Sequence, residues 1–235
     1  MLQTPATVLR LRPRLGERLW LAFGGAVLIA STLGLAALAI VGFLSSPVLG
    51  AVLGPLAVFI GLMAWLVLRE VRASWSTRVS IDASTVRLTL PAVRGYAAQA
   101  ALDSWIPLAS IAAVERREEA FRSLGTTTIQ RAYALLLQDG SRVTLGADRP
   151  MKAEFFLGAA VAIAAHAKAP LHDRGLVDGK AGPILAVGNR APEWTAPGLP
   201  EPLARKRRNA AAMTYTLIGA VFVAIMVLRL ALHLI

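Results

Sequence analysis

Residues 19–68 carry no charged side chain, and the segment SSPVLG at 45–50 divides them into two apolar runs, 19–44 and 47–68. A helix needs about 20 predominantly apolar residues to cross a bilayer core, so each run predicts a membrane span. A third uncharged run, 209–228, predicts another. None of the three shows the polar stripe of a soluble amphipathic helix, which disfavours a buried hairpin. The first run resembles the apolar part of a secretory signal, but its length and the second run directly after it argue for retention.

From Trp75 the period changes to the two-residue alternation of half-buried strands. TRVSID (77–82) and STVRLTL (84–90) predict a hairpin closed at Asp82 and Ala83. SWIPLASIAAVERRE then predicts a strand at Trp105 and Ile106, a break at 107–110 and a strand over 111–117. TTTIQRAYALLLQ (126–138) predicts a long strand, and the Asp139–Gly140 pair a tight turn into SRVTLG (141–146). This makes six strands, all expected antiparallel. A helix follows, with Asp148 as a capping residue and Pro150 in its first turn. Its uncharged centre, 155–165, is too short to span a bilayer and is expected to close the open side of a curved sheet, or alternatively to lie on the membrane surface.

Charge supplies the orientation. Of the formal +11, residues 1–18 contribute +3 through Arg10, Arg12, Arg14 and Arg18 against Glu17, and Arg205, Lys206, Arg207 and Arg208 contribute +4. Residues 70–150 hold ten Arg against eight Asp and Glu. An excess concentrated at the flanks of apolar runs is the signature of cytoplasmic loops rather than of a nucleic-acid footprint. The N-terminus and the segment between spans two and three are therefore expected in the cytoplasm, and the C-terminus outside, in the periplasm of a bacterial cell. No Asp, Glu, Lys or His interrupts a span, which disfavours an ion or proton pathway. Small residues at helix-packing spacing, Gly50 and Gly54, and Ala212, Thr216, Ala220 and Ala224, permit close helix contact.

The strand pattern with its closing helix resembles the pleckstrin-homology (PH) fold, and two spans directly before it resemble bacterial membrane proteins with a PH-like domain. TRVSIDASTVRLTL is similar to the family's opening hairpin, IPLASIAAVERR to its Ile-Pro-Leu strand, and FRSLGTTTI to the turn into the next strand. The likeness covers 75–168. Two features depart from it: YAAQAALD is inserted after Gly95, and the first strand–strand loop is DAS, without the Lys and Arg of phosphoinositide-binding members.

The expected fold class is an α+β membrane protein with three transmembrane helices and a cytoplasmic PH-like antiparallel β-barrel or sandwich capped by a C-terminal helix. The expected division is a basic N-terminus (1–18), a two-helix hairpin (19–69), the PH-like domain (73–169), a Pro/Gly-rich linker with a basic end (170–208) and a third span (209–235).

Catalytic chemistry has no carrier in this sequence. Phosphate-binding Gly loops, nucleophile elbows and zinc-helix motifs are absent, as is cysteine. His166, His172 and His233 are scattered, and His172 beside Asp173 lacks a third ligand at fixed spacing. Glu115, Glu118 and Glu119 alternate with Arg116, Arg117 and Arg122, which predicts a solvated, locally paired face. The expectation is thus a non-enzymatic membrane-anchored interaction or assembly module. It has no cofactor, metal or nucleic-acid partner, and it docks a membrane protein or a second copy. Anionic-lipid sensing is the alternative, with Arg72, Arg78, Arg94, Arg116, Arg117 and Arg122 as contacts to lipid or partner. A further alternative is an accessory subunit of a transporter or enzyme.

Overall fold

The computed structural model describes residues 8–94, 99–123, 125–149, 154–179 and 193–233. They form two compact units, Met1–Val93 with Ala100–Trp105, and Arg94–Gln99 with Ile106–Ile235.

The first unit holds β1 (Leu9–Leu11), α1 (Leu15–Ser45), α2 (Pro47–Ser76), β2 (Arg78–Ile81), β3 (Thr85–Leu90) and β4 (Leu102–Pro107), whose last two residues pass into the second unit. Helices α1 and α2 meet at the single extended residue Ser46, and Pro47 opens α2, where a missing N–H costs nothing. They fold back as a hairpin: Gly42 lies against the backbone of Gly50, Gly61 against Thr32, and Gly25 against Val67. Both helices are long and apolar enough to cross a membrane. Their outward faces expose Trp20, Phe23, Leu33, Leu44 and Val58, far more apolar area than a water-facing helix pair tolerates.

Gly50 makes this close approach possible. A Cβ there would stand 2.3 Å from the root of the Phe43 ring. Gly50→Leu is expected to force the helices apart and to lower stability by about 1–3 kcal/mol. Thermal unfolding of the full chain in detergent measures the loss.

The first sheet has the order β1-β2-β3-β4. Val79 faces Leu88 and Ile81 faces Val86 across an antiparallel register, and these side chains are fully buried on one face. Arg78, Ser80, Arg87 and Thr89 alternate with them and point to the other. The β2–β3 turn is held by Asp82, whose carboxylate accepts the Thr85 N–H at 2.6 Å, the Thr85 hydroxyl at 2.7 Å and the Ser84 N–H at 2.8 Å. Strand β1 was not expected: the basic segment before α1 pairs antiparallel with β2, Arg10 opposite Ser80.

In the second unit a 3-10 turn (Leu108–Ser110) leads into β5 (Ile111–Ser123), β6 (Thr126–Leu137), β7 (Arg142–Asp148), α3 (Phe155–Ala167), β8 (Leu171–Asp178) and α4 (Glu201–His233). The sheet order is β7-β6-β5-β8. The Asp139–Gly140 turn joins β6 to β7 as expected, with Gly140 at φ +82° and the Asp139 carboxylate accepting from Ser141. Asp148 does serve the start of α3, but through space: its two carboxylate oxygens accept the N–H groups of Phe156 and Leu157 at 2.9 and 2.8 Å. Helix α3 buries Phe156, Ala159, Ala160, Ile163 and Ala164 against this sheet. Pro150 lies outside the described residues.

Three expectations are corrected. The strands are not all antiparallel, because β8 runs parallel to β5 after the α3 crossover. Residues 170–208 are not simply a linker. Their first part is β8, whose Leu176 carbonyl accepts the Leu199 N–H at 2.7 Å, and their last part is the start of α4; 180–192 lie outside the described residues. A Pro/Gly-rich composition conceals such a strand because Gly175, at φ +72°, bends it without ending its pairing. Finally, β5 does not stop near 117 but continues to Ser123.

Helix α4 also closes an open strand edge. β7 pairs with β6 only from Arg131 onward. Beyond its end, the Thr127 N–H donates to the Thr214 hydroxyl at 3.1 Å and the Ile129 N–H to the Tyr215 hydroxyl at 3.3 Å. Backbone donors at a covered edge need such partners.

Candidate functional site

Charged side chains on β5 alternate between two environments. Glu115, Arg117 and Glu119 are 0, 2 and 1% exposed, whereas Arg116 and Glu118 are half-buried on the opposite face. The expected solvated face is therefore wrong for three of these residues. Register explains it: Glu115 and Arg117 stand opposite Ala134 and Ala132 of β6, small side chains that leave room for carboxylate and guanidinium groups, and Glu119 stands opposite Gln130, which donates to it.

Each buried charge is met by a partner distant in sequence. The Glu115 carboxylate accepts from Arg142 Nε at 2.8 Å and from Arg174 Nε at 2.9 Å. Burial pushes this carboxyl up, but the two arginines outweigh it and hold the group below its ordinary value. Arg117 donates to the carbonyl oxygens of Glu193 and Ala196, and its guanidinium lies 5.9 Å from the Trp194 ring centroid. Trp194 in turn packs on Ala132, Ala134 and Ala147. Glu119 has no arginine fork. Gln130 donates to it, Arg117 acts at longer range, and burial still pushes its carboxyl up to about 7.

A buried carboxyl titrating near neutrality is a general acid–base candidate when it faces a cavity. Glu119 lines neither of two grooves on the surface, one of about 400 Å³ in the first unit and one of about 420 Å³ in the second. Its neighbours fix the 193–196 segment to the sheet, which is a structural task.

The other arginines singled out by sequence are dispersed. Arg72 and Arg78 are exposed in the first unit, and Arg122 is exposed at the end of β5. Arg116 is paired with Asp173 of β8. Arg94 is buried, which lowers its guanidinium to about 10, so with Arg117 it is withdrawn from any surface contact. Arg207 makes a two-pronged bond to Asp178 at 2.7 and 2.9 Å, and Arg208 reaches Glu118 at 3.1 Å and Glu201 at 3.4 Å. Part of the basic flank thus docks α4 on the sheet, while Arg205 and Lys206 remain exposed. At the other flank Arg18 lies over the Trp75 ring at 4.8 Å, and Arg10, Arg12 and Arg14 are exposed. No protein-family model, curated protein or solved structure matches the chain.

Sequence reasoning missed the Glu115–Arg142–Arg174 cluster and the Trp194 clasp. The available signal was the strict two-residue spacing of 115, 117 and 119 opposite Ala132 and Ala134.

Proposed function

We propose that this chain is a non-enzymatic interaction or assembly module anchored in a membrane, bacterial and inner by its flanking charge. It docks a protein partner, either another membrane protein or a second copy, at the cytoplasmic surface. The α1–α2 hairpin carries the reading, with its apolar outer faces and its two ends leading straight into β1 and β2. α4 supports a third anchor: its first turns, through Tyr215, are fixed to the second sheet, and beyond them Leu217 and Val223 are exposed. The layout of helical hairpin, antiparallel strands and closing helix supports a PH-like character for the strand-bearing part, although β8 adds a parallel strand to it.

Docking is assigned to the start of the outer edge of β8, a terminal strand of its sheet, where Leu171 is 41% exposed with His172 beside it, ahead of the stretch that Leu199 covers at Leu176. An edge strand offers backbone donors and acceptors to an incoming segment. With a photo-crosslinking residue at Leu171 in native membranes, one adduct of discrete mass is expected, equal to the chain plus its partner or to twice the chain. The same residue at Thr126, exposed at the opposite end of the sheet, is expected to give none. Equal or absent adducts at both sites, with the chain still in the membrane, would overturn the docking assignment.

A further inference from the structure

The outward face of the first sheet carries a basic groove of about 400 Å³ to which Arg10, Arg12, Arg78 and Arg87 all contribute. Its positive charge is only partly compensated. Among the described residues Arg10, Arg12 and Arg78 have no carboxylate partner, and only Arg87 is paired, with Asp103 at 3.3 Å. Asp82, the one acid lining the groove, is occupied by the backbone and hydroxyl of its own turn. The groove of the second unit is the opposite case. There Arg131 lies 2.6 Å from Glu154 and 3.6 Å from Glu118, so its charges are mutually satisfied.

The registers explain how the arginines converge. Arg10 faces Ser80 and Ser80 faces Arg87, placing two guanidinium-bearing residues two strands apart with a hydroxyl between them. Neighbouring strands are about 4.8 Å apart, so a tetrahedral anion seated over Ser80 lies within reach of Arg10 and of Arg78, two residues from Ser80 on the same face, while Arg87 stays on Asp103 at the far side. Arginine forks match phosphate oxygens in this way, and like charges so placed repel when no anion separates them. Trp105, 60% exposed, also lines the groove, with Arg87 over its ring at 5.1 Å. An exposed indole beside arginines suits the headgroup layer, where tryptophan is enriched.

Connectivity places this face at the membrane. Arg12 precedes α1 by three residues and Arg78 follows α2 by two. We propose that the groove binds the phosphate of an anionic phospholipid in the leaflet from which the hairpin emerges, with Trp105 against the glycerol and upper acyl region. This site shares no residue with the β8 edge and rests on the membrane-anchored reading.

Native mass spectrometry of the full chain in neutral detergent, titrated with short-chain phosphatidylglycerol, phosphatidylcholine or inorganic phosphate, tests it. Phosphatidylglycerol is expected to bind most tightly. Arg10→Ser with Arg78→Ser is expected to weaken that binding about thirtyfold, and a control pair, Arg205→Ser with Lys206→Ser, to leave it unchanged. Trp105→Ala is expected to weaken lipid but not phosphate. Undiminished lipid binding by the first pair, an equal loss in the control pair, or phosphate binding as tightly as lipid would each overturn the proposal. Alkaline extraction of native membranes reports on anchoring separately. A chain that is released yet retains the lipid preference refutes the anchor and not the groove.

Discussion

Replacing Trp194 with alanine is expected to destabilise the protein by about 3–5 kcal/mol, the range for deleting a buried large aromatic side chain. The indole is 8% exposed and covers Ala132, Ala134 and Ala147, residues too small to fill the space it would leave. It also shields the Arg117 guanidinium, whose hydrogen bonds run to the carbonyl oxygens of Glu193 and Ala196 on either side of it. Loss of the ring would admit water to a buried cation and release the segment that precedes α4. Trp194→Phe separates packing from polarity: among the described residues the indole Nε1 has no hydrogen-bond partner, so phenylalanine is expected to cost about 1 kcal/mol. Thermal unfolding of the full chain in detergent, wild type against both variants, reads the order.

A second large effect is pH-dependent. The Glu119 carboxyl is pushed from 4.5 up to about 7, first by burial, against the opposing pull of Gln130 and Arg117. The folded chain therefore holds this proton more tightly than the unfolded chain does. Its contribution is favourable below about pH 4.5 and is lost as the pH rises toward 7, a change of about 3 kcal/mol at 1.36 kcal/mol per pKa unit. Glu115, Asp173 and Asp178 act in the other sense. Their carboxyls are lowered, so their contribution is present above the ordinary carboxylate range and disappears in stronger acid. Stability is expected to peak near pH 5. Glu119→Gln, which keeps an acceptor for Gln130 and removes the charge, is expected to flatten the decline between pH 5 and pH 8. Unfolding midpoints at the two pH values measure it, and a wild-type midpoint that rises over this interval contradicts the assignment.

The elements that the sequence announces are those whose physics is local. The hairpin helices follow from uncharged runs, the β2–β3 turn from Asp82 bonding its own backbone, and the β6–β7 turn from Gly140 at positive φ. What escaped depends on distant partners. Strand β1 spans only three residues and exists because β2 offers it an edge. Strand β8 looks like a tether because the Pro and Gly content of the surrounding 170–203 segment masks a pairing made with β5, almost 60 residues earlier in the chain. The burial of Glu115, Arg117 and Glu119 was hidden because both faces of β5 carry charge, so hydropathy shows no alternation there. Only Arg142, Arg174 and Trp194 distinguish the two faces. The same limit applies to the basic groove: Arg10 and Arg87 are far apart in sequence and meet across Ser80.

The central claim is that the hairpin crosses a membrane while the β-strands remain on the side of its two ends. The chain contains no cysteine, so a single introduced thiol reports its own side without background. Ser46, exposed between α1 and α2, and Gln138, exposed at the β6–β7 turn, are the informative positions. With a membrane-impermeant maleimide, Ser46→Cys is expected to label in intact cells and Gln138→Cys only after permeabilisation. Labelling of both thiols from the same side would contradict the account.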